Sequence, residues 1–179
     1  MLLYIHGFRT TPNSEKSRLF KEYFKDNVII PDFSPKPLKA VDKLQQIIKQ
    51  KEIKGLIASS LGGYYATYLS ERYNLKAVLI NPSTRPFETL EKHLGVITRQ
   101  DGTTFEWKGE YLKELKSLYI QTLNPKNYLV FLQKGDKVLD YRVALKRFDG
   151  AKIVMEEGGS HSFDNLERYL NLIENFLNS

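Results

Sequence analysis

The sequence predicts an α/β fold, with a mostly parallel sheet of about six strands and helices on both faces. Three observations point there. Short apolar runs recur along the chain at residues 2–5, 28–30, 56–59, 77–80, 129–133 and 152–155. Segments with helical periodicity lie between most of them. Several of the runs end in turns where glycine stands beside His, Ser or Asp. The runs lack strict apolar/polar alternation, as expected of parallel strands buried on both faces, and alternating strands and helices imply an open sheet covered on each side.

The helices follow in order. Leu19, Phe20, Tyr23 and Phe24 recur at helical spacing behind Ser14, a capping residue type. Leu44, Ile47 and Ile48 do so behind Pro37, which suits an early helical position. A third helix is expected over 61–73. A last one is expected over 163–177, with Leu166, Leu170, Ile173 and Leu177 on one stripe. Residues 83–126 break the alternation, being longer than one crossover helix requires. They read as a helical piece near 87–94, a hairpin over 96–107 turning at Asp101-Gly102, and a helix over 110–119. An insertion at the carboxyl end of a sheet strand lies where binding sites form in such folds, so it is expected to be a small cap. Its aromatic residues, among them Trp107 and Tyr111, are expected to influence substrate choice.

The 179 residues suit one domain spanning 1–179. Hydrophobic residues at 41% and charged residues at 27% are those of a globular protein. No run approaches the roughly 18 apolar residues of a membrane span. The N-terminus lacks the basic start and small-residue cleavage site of a signal peptide, so a cytoplasmic location is expected. The net charge of +6 comes largely from lysines on predicted helix faces and reads as a solvated surface, although it would favour an anionic substrate. No phosphate loop or nucleic-acid motif accompanies it, and neither a metal nor a cofactor is expected.

The chemistry is expected at four turns. In Leu56-Ile57-Ala58-Ser59-Ser60-Leu61-Gly62-Gly63 an apolar strand meets a helix through a small-x-Ser-x-Gly turn, the arrangement of a nucleophile elbow. Residues two before and two after the serine must be small, because strand and helix approach closely there. Ala58 and Gly62 meet that demand around Ser60, whereas Ile57 and Leu61 fail it around Ser59. At the end of the first strand, His6-Gly7-Phe8 resembles an oxyanion loop in which the backbone N–H groups of Phe8 and Leu61 would hold a negative oxygen. Gly135-Asp136 follows a strand and offers an acid, with Asp140 a rival expected inside the following helix. Gly158-Gly159-Ser160-His161 follows the last strand and offers a base. Of the three histidines, His6 reads as structural and His93 as surface or packing. The chain order Ser, Asp, His is the one found in α/β-hydrolases.

At this point the chain resembles the YqiA/YcfP-type esterases, small bacterial α/β-hydrolases. The likeness rests on Tyr4-Ile5-His6-Gly7-Phe8, Ser59-Ser60-Leu61-Gly62-Gly63-Tyr64-Tyr65, Ala77-Val78-Leu79-Ile80-Asn81-Pro82, Gly135-Asp136-Lys137-Val138-Leu139-Asp140-Tyr141 and Glu157-Gly158-Gly159-Ser160-His161-Ser162-Phe163. Ala58 stands where that family usually has glycine. The resemblance implies a reduced α/β-hydrolase fold with strands in spatial order 2-1-3-4-5-6. It implies Ser60 as nucleophile, Asp136 as acid and His161 as base, acting without a cofactor on a small-molecule ester. Two other readings keep the same fold: a thioesterase acting on acyl-CoA-like substrates, and a small-molecule binding protein without turnover.

Overall fold

A computed structural model describes all residues, Met1–Ser179. Six parallel strands form one sheet: β1 (Leu2–Ile5), β2 (Val28–Ile29), β3 (Gly55–Ser59), β4 (Lys76–Ile80), β7 (Tyr128–Gln133) and β8 (Lys152–Glu156). Their spatial order is β2-β1-β3-β4-β7-β8, which is the expected 2-1-3-4-5-6 once the two hairpin strands are set aside. The register places Ile5 beside Ala58, Ser59 beside Ile80 and Gln133 beside Glu156. The carboxyl ends of β1, β3, β4, β7 and β8 therefore open onto one rim.

Side chains alternate along each strand, and each parity has its own core. Leu3, Ile5, Leu56, Ala58, Leu79 and Val130 join one cluster with α2 (Pro37–Gln50) and α3 (Leu61–Tyr73). Tyr4, Ile57, Val78, Ile80, Leu129 and Phe131 join the other with α1 (Glu15–Phe24) and α7 (Leu170–Asn178). These strand side chains are all within 1% of full burial, each contributing about 1.5–3 kcal/mol when large. Burial on both faces is why the strands read as continuous apolar runs. The edge strand β2 has only two residues, which limits the unpaired backbone it presents.

Helix starts follow local chemistry. The Ser14 hydroxyl accepts the Ser17 N–H at 3.3 Å and caps α1, and Pro37 opens α2. The last helix departs from expectation. Phe163 and Asn165 have φ of +63° and +58°, a left-handed backbone that a right-handed helix cannot contain. The Asp164 N–H is donated to the Gln133 side chain instead, at 2.8 Å. A 3₁₀ turn over Leu166–Tyr169 intervenes, and α7 begins at Leu170. The apolar stripe survives, since Leu166, Leu170, Ile173 and Leu177 are all buried.

Between β4 and β7 the chain forms α4 (Pro86–Thr89), a 3₁₀ turn over Glu91–His93, the antiparallel pair β5 (Gly95–Thr98) and β6 (Thr104–Trp107), and α5 (Gly109–Ser117). The hairpin turns at Asp101-Gly102 as expected. Asp101 Oδ1 accepts the Thr103 N–H at 3.0 Å, and Gly102 supplies a φ of +83°. Trp107, Tyr111 and Leu115 face inward and join the α2–α3 core. No helix is long and apolar enough to cross a membrane.

Candidate active site

Ser60 sits between β3 and α3 with φ 52° and ψ −123°, a conformation costly for any residue with a side chain. Close packing holds it there. A Cβ on Gly62 would collide with the backbone oxygens of Ile5 and His6, and one on Gly63 would lie 2.7 Å from Pro82 Cβ. Helix α3 can start this close to β1 and the 81–83 loop only because both positions are glycine. The Ser60 N–H is donated to the Ile80 carbonyl at 3.1 Å, and its carbonyl accepts the N–H groups of Gly63 and Ser83 at 2.9 Å each. Ala58 is fully buried beneath the turn. Ser59 is buried and shares a 3.0 Å hydrogen bond with the Tyr4 hydroxyl.

His161 reaches Ser60 from the loop after β8. Its Nε2 lies 3.0 Å from Ser60 Oγ, and its Nδ1 lies 2.7 Å from Asp136 Oδ2. Asp136 Oδ1 accepts the N–H groups of Val138 and Leu139 at 2.7 and 2.9 Å. The carboxylate side chain is only 2% exposed, against 28% for His161. Burial would raise its pKa, but the His161 hydrogen bond and the two backbone donors outweigh it and hold the carboxyl below the usual range. An ionised Asp136 fixes the tautomer: Nδ1–H donates to the carboxylate, and Nε2 is left to accept the Ser60 hydroxyl proton.

Asp140 is not in this chain of bonds, and it does not lie inside a helix. It caps α6 (Tyr141–Arg147), accepting the Arg142 N–H and Nε–H at 3.0 and 2.9 Å. A carboxylate just before a helix is better used on the free first-turn N–H groups than within the helix.

Two buried amides that the sequence did not single out organise the histidine loop. Gln133, at the end of β7, accepts the N–H groups of Ser160 and Asp164 at 3.0 and 2.8 Å through Oε1, and donates to Glu156 at 2.7 Å and to the Asp164 carbonyl at 3.0 Å. Asn81, at the end of β4 with φ +40°, donates to the carbonyls of Ser160 and His161 at 2.9 and 3.2 Å and accepts the Gln133 N–H at 3.0 Å. The loop passes so near β7 that a Cβ on Gly135 would strike the backbone of Gly158 and Gly159. Nothing in residue type or spacing marks Gln133. Asn81 carries a faint signal, as a polar residue ending an apolar run.

A cavity of about 330 Å³ opens over Ser60 and His161, near the lower end of the usual range for small-molecule sites. Phe8 and Leu61 line it. The Phe8 N–H has no backbone acceptor, and Leu61 is the first residue of α3, where N–H groups lack helical partners. His6 does not reach the cavity. It is buried, stacked on Phe33 at 4.2 Å, and burial lowers its pKa. Trp107 and Tyr111, expected near the substrate, pack into the core, with Phe8 edge-on to Trp107 at 4.7 Å. The insertion instead presents Ser83, Thr89, Leu90, Lys92, His93 and Gln100 to the cavity. His93 is thus not a purely surface residue.

A sheet of this order, with a strained serine at the β3–α3 turn and acid and histidine on the β7 and β8 loops, defines the α/β-hydrolase fold. Comparison with known proteins agrees. The chain superposes on alpha/beta hydrolase domain-containing protein 10 from mouse with a TM-score of 0.74 at 15% identity, covering 99% of this chain and 89% of that one. It superposes on Est1E from Butyrivibrio proteoclasticus with a TM-score of 0.70 at 14% identity, covering 99% and 85%. Residues 1–178 match the model of the family described as "Uncharacterised protein family (UPF0227)", and the chain belongs to that family. UPF0227 protein YcfP from Salmonella paratyphi A (strain ATCC 9150 / SARB42) is 28% identical over 190 residues, covering 98% of each chain. The Escherichia coli O9:H4 (strain HS) protein of the same name is 27% identical at the same coverage.

Proposed function

We propose that the protein is a serine hydrolase that cleaves a small carboxylic ester through an acyl-enzyme intermediate. The observation that carries this reading is the unbroken hydrogen-bond chain Ser60–His161–Asp136 at the floor of a cavity. In the proposed reaction Ser60 Oγ attacks the ester carbonyl while His161 Nε2 takes the hydroxyl proton. Asp136 keeps the imidazole in the accepting tautomer and stabilises the imidazolium. The Phe8 and Leu61 N–H groups receive the developing oxyanion, a contribution of roughly 3–4 kcal/mol for each donor. His161 returns the proton to the leaving alkoxide, then activates a water that releases the acid. The chain acts as one domain, with residues 83–126 as a cap over the cavity. The six residues of this segment that line the cavity, Ser83 among them, support that role. The Asp101-Gly102 tip lies outside the lining.

The test is a fluorophosphonate probe followed by peptide mass spectrometry. The adduct is expected on Ser60, and Ser60→Ala is expected to lose both the adduct and ester hydrolysis. Labelling at Ser59, or ester turnover undiminished in Ser60→Ala, would overturn the proposal.

A further inference from the structure

We infer that the ligand of the Ser60 cavity carries an anionic group, a carboxylate or a phosphate, which Lys16 binds. This deepens the hydrolase reading and rests on it. The cavity lining contains three cationic side chains, Arg9, Lys16 and Lys92, and no Asp or Glu. The one carboxylate at the site, on Asp136, lies behind His161 and is closed off by three hydrogen bonds.

None of the three cations is paired. Elsewhere the chain forms seven Lys or Arg ion pairs within 4.0 Å, and none includes Arg9, Lys16 or Lys92. Lys16 is the telling member. It is half-buried, whereas Arg9 and Lys92 are exposed. Burial lowers its pKa, with Glu15 and Asp164 opposing from a distance. A lysine held partly out of water with no carboxylate in contact loses hydration without recovering it from the protein, and an anion arriving in the cavity supplies what is missing. Asp164 is engaged with the Ser160 hydroxyl at 2.6 Å.

The other two cations lie on the cap side. Arg9 donates Nε–H to the Thr98 carbonyl at 3.2 Å, and its own carbonyl accepts the Gln100 N–H at 2.9 Å. That leaves its terminal guanidinium nitrogens free of protein acceptors. The anion is thus received from one wall by Lys16 and approaches past Arg9 and Lys92, which favour its entry. A neutral substrate would leave all three charges unused. A cationic one would be repelled.

The test uses two nearly isosteric alkyl esters, monomethyl succinate with a terminal carboxylate and methyl butyrate without one. Calorimetric titration of Ser60→Ala measures binding free of turnover. The succinate ester is expected to bind about tenfold more tightly, the scale of a charge-assisted hydrogen bond. The preference is expected to disappear in Ser60→Ala/Lys16→Gln, to persist in Ser60→Ala/Lys16→Arg, and to persist in Ser60→Ala/Lys39→Gln, which removes the same charge from an exposed site on α2 outside the cavity. Competition by free succinate against inorganic phosphate assigns the anion as carboxylate or phosphate. Equal affinity for the two esters, or equal loss in the Lys16 and Lys39 variants, would overturn the inference. Turnover by the wild type is read separately. If both esters remained intact while the affinity difference persisted, the hydrolase reading would fall and the anion site would stand.

Discussion

At the residue scale the two aspartates of the 136–142 turn separate cleanly. Asp136 has its carboxylate against His161 and two backbone donors, while Asp140 has its carboxylate on Arg142 and the start of α6. Asp136→Asn keeps the shape but makes the tautomer with a proton on Nε2 competitive. It is expected to lower kcat by about 10⁴ while leaving far-UV circular dichroism unchanged. Asp140→Asn is expected to cost under about 1 kcal/mol of stability, since asparagine still caps, and to leave kcat within about twofold. A comparable kcat loss in the two variants would refute the assignment. The same group gives a pH signature. The folded-state pKa of Asp136 lies below the ordinary carboxylate value, so the stability it contributes is complete above that value and is lost as the pH falls through the depressed one. Urea unfolding of wild type and Asp136→Asn should therefore show a gap that is widest near neutrality and narrows in acid. A gap independent of pH would contradict this account.

At the element scale the loop from β8 is positioned from outside itself. Its glycines permit the close pass by β7, and Asn81 and Gln133 carry its backbone polar groups. Asn81→Ala removes both donors to the Ser160 and His161 carbonyls. We expect kcat to fall about a hundredfold with KM little changed, as for a misplacement on the order of 1 Å, and stability to fall by about 1–3 kcal/mol. Asn81→Gly relieves the positive φ but loses the same bonds, so it should lose kcat as well. Normal kcat in Asn81→Gly would reduce the residue to a backbone role. This is also where the sequence was least informative. Strands were legible because burial on both faces writes an apolar run. Ser60 was legible because a tight turn excludes large neighbours. A buried amide writes no pattern, since its partners lie in loops dozens of residues away. The end of the chain misled for a related reason: the stripe from Leu166 to Leu177 fits one helix, while the left-handed Phe163 and Asn165 are set by the tertiary bond from Asp164 to Gln133. Trp107 and Tyr111 read as substrate-facing aromatics from sequence, but the core takes up their large apolar surfaces.

At the scale of the whole molecule, charge and fold act together. The chain carries +6, and the cavity wall contributes three cations without counter-charge. For a carboxylated ester, kcat/KM is therefore expected to fall several-fold as salt rises from about 0.01 to 0.5 M, as screening shortens the reach of the field. The neutral butyrate ester should respond little, and identical salt slopes would argue against electrostatic guidance. The strand order has a further consequence, one of time. Three of the four elbows and loops at the site, those of β1, β3 and β7, leave the ribosome well before β8, which adds at the outer edge with His161 just behind it. The core face beneath Tyr4, Ile57 and Phe131 is shared by α1 and α7, the first and last helices. During synthesis, at about 5–20 residues per second, the nascent chain holds a half-covered sheet and Ser60 without its His161 partner for several seconds. On the proposed mechanism the site is complete only once His161 has been made, so a chain terminated before it is expected to be released without hydrolase activity.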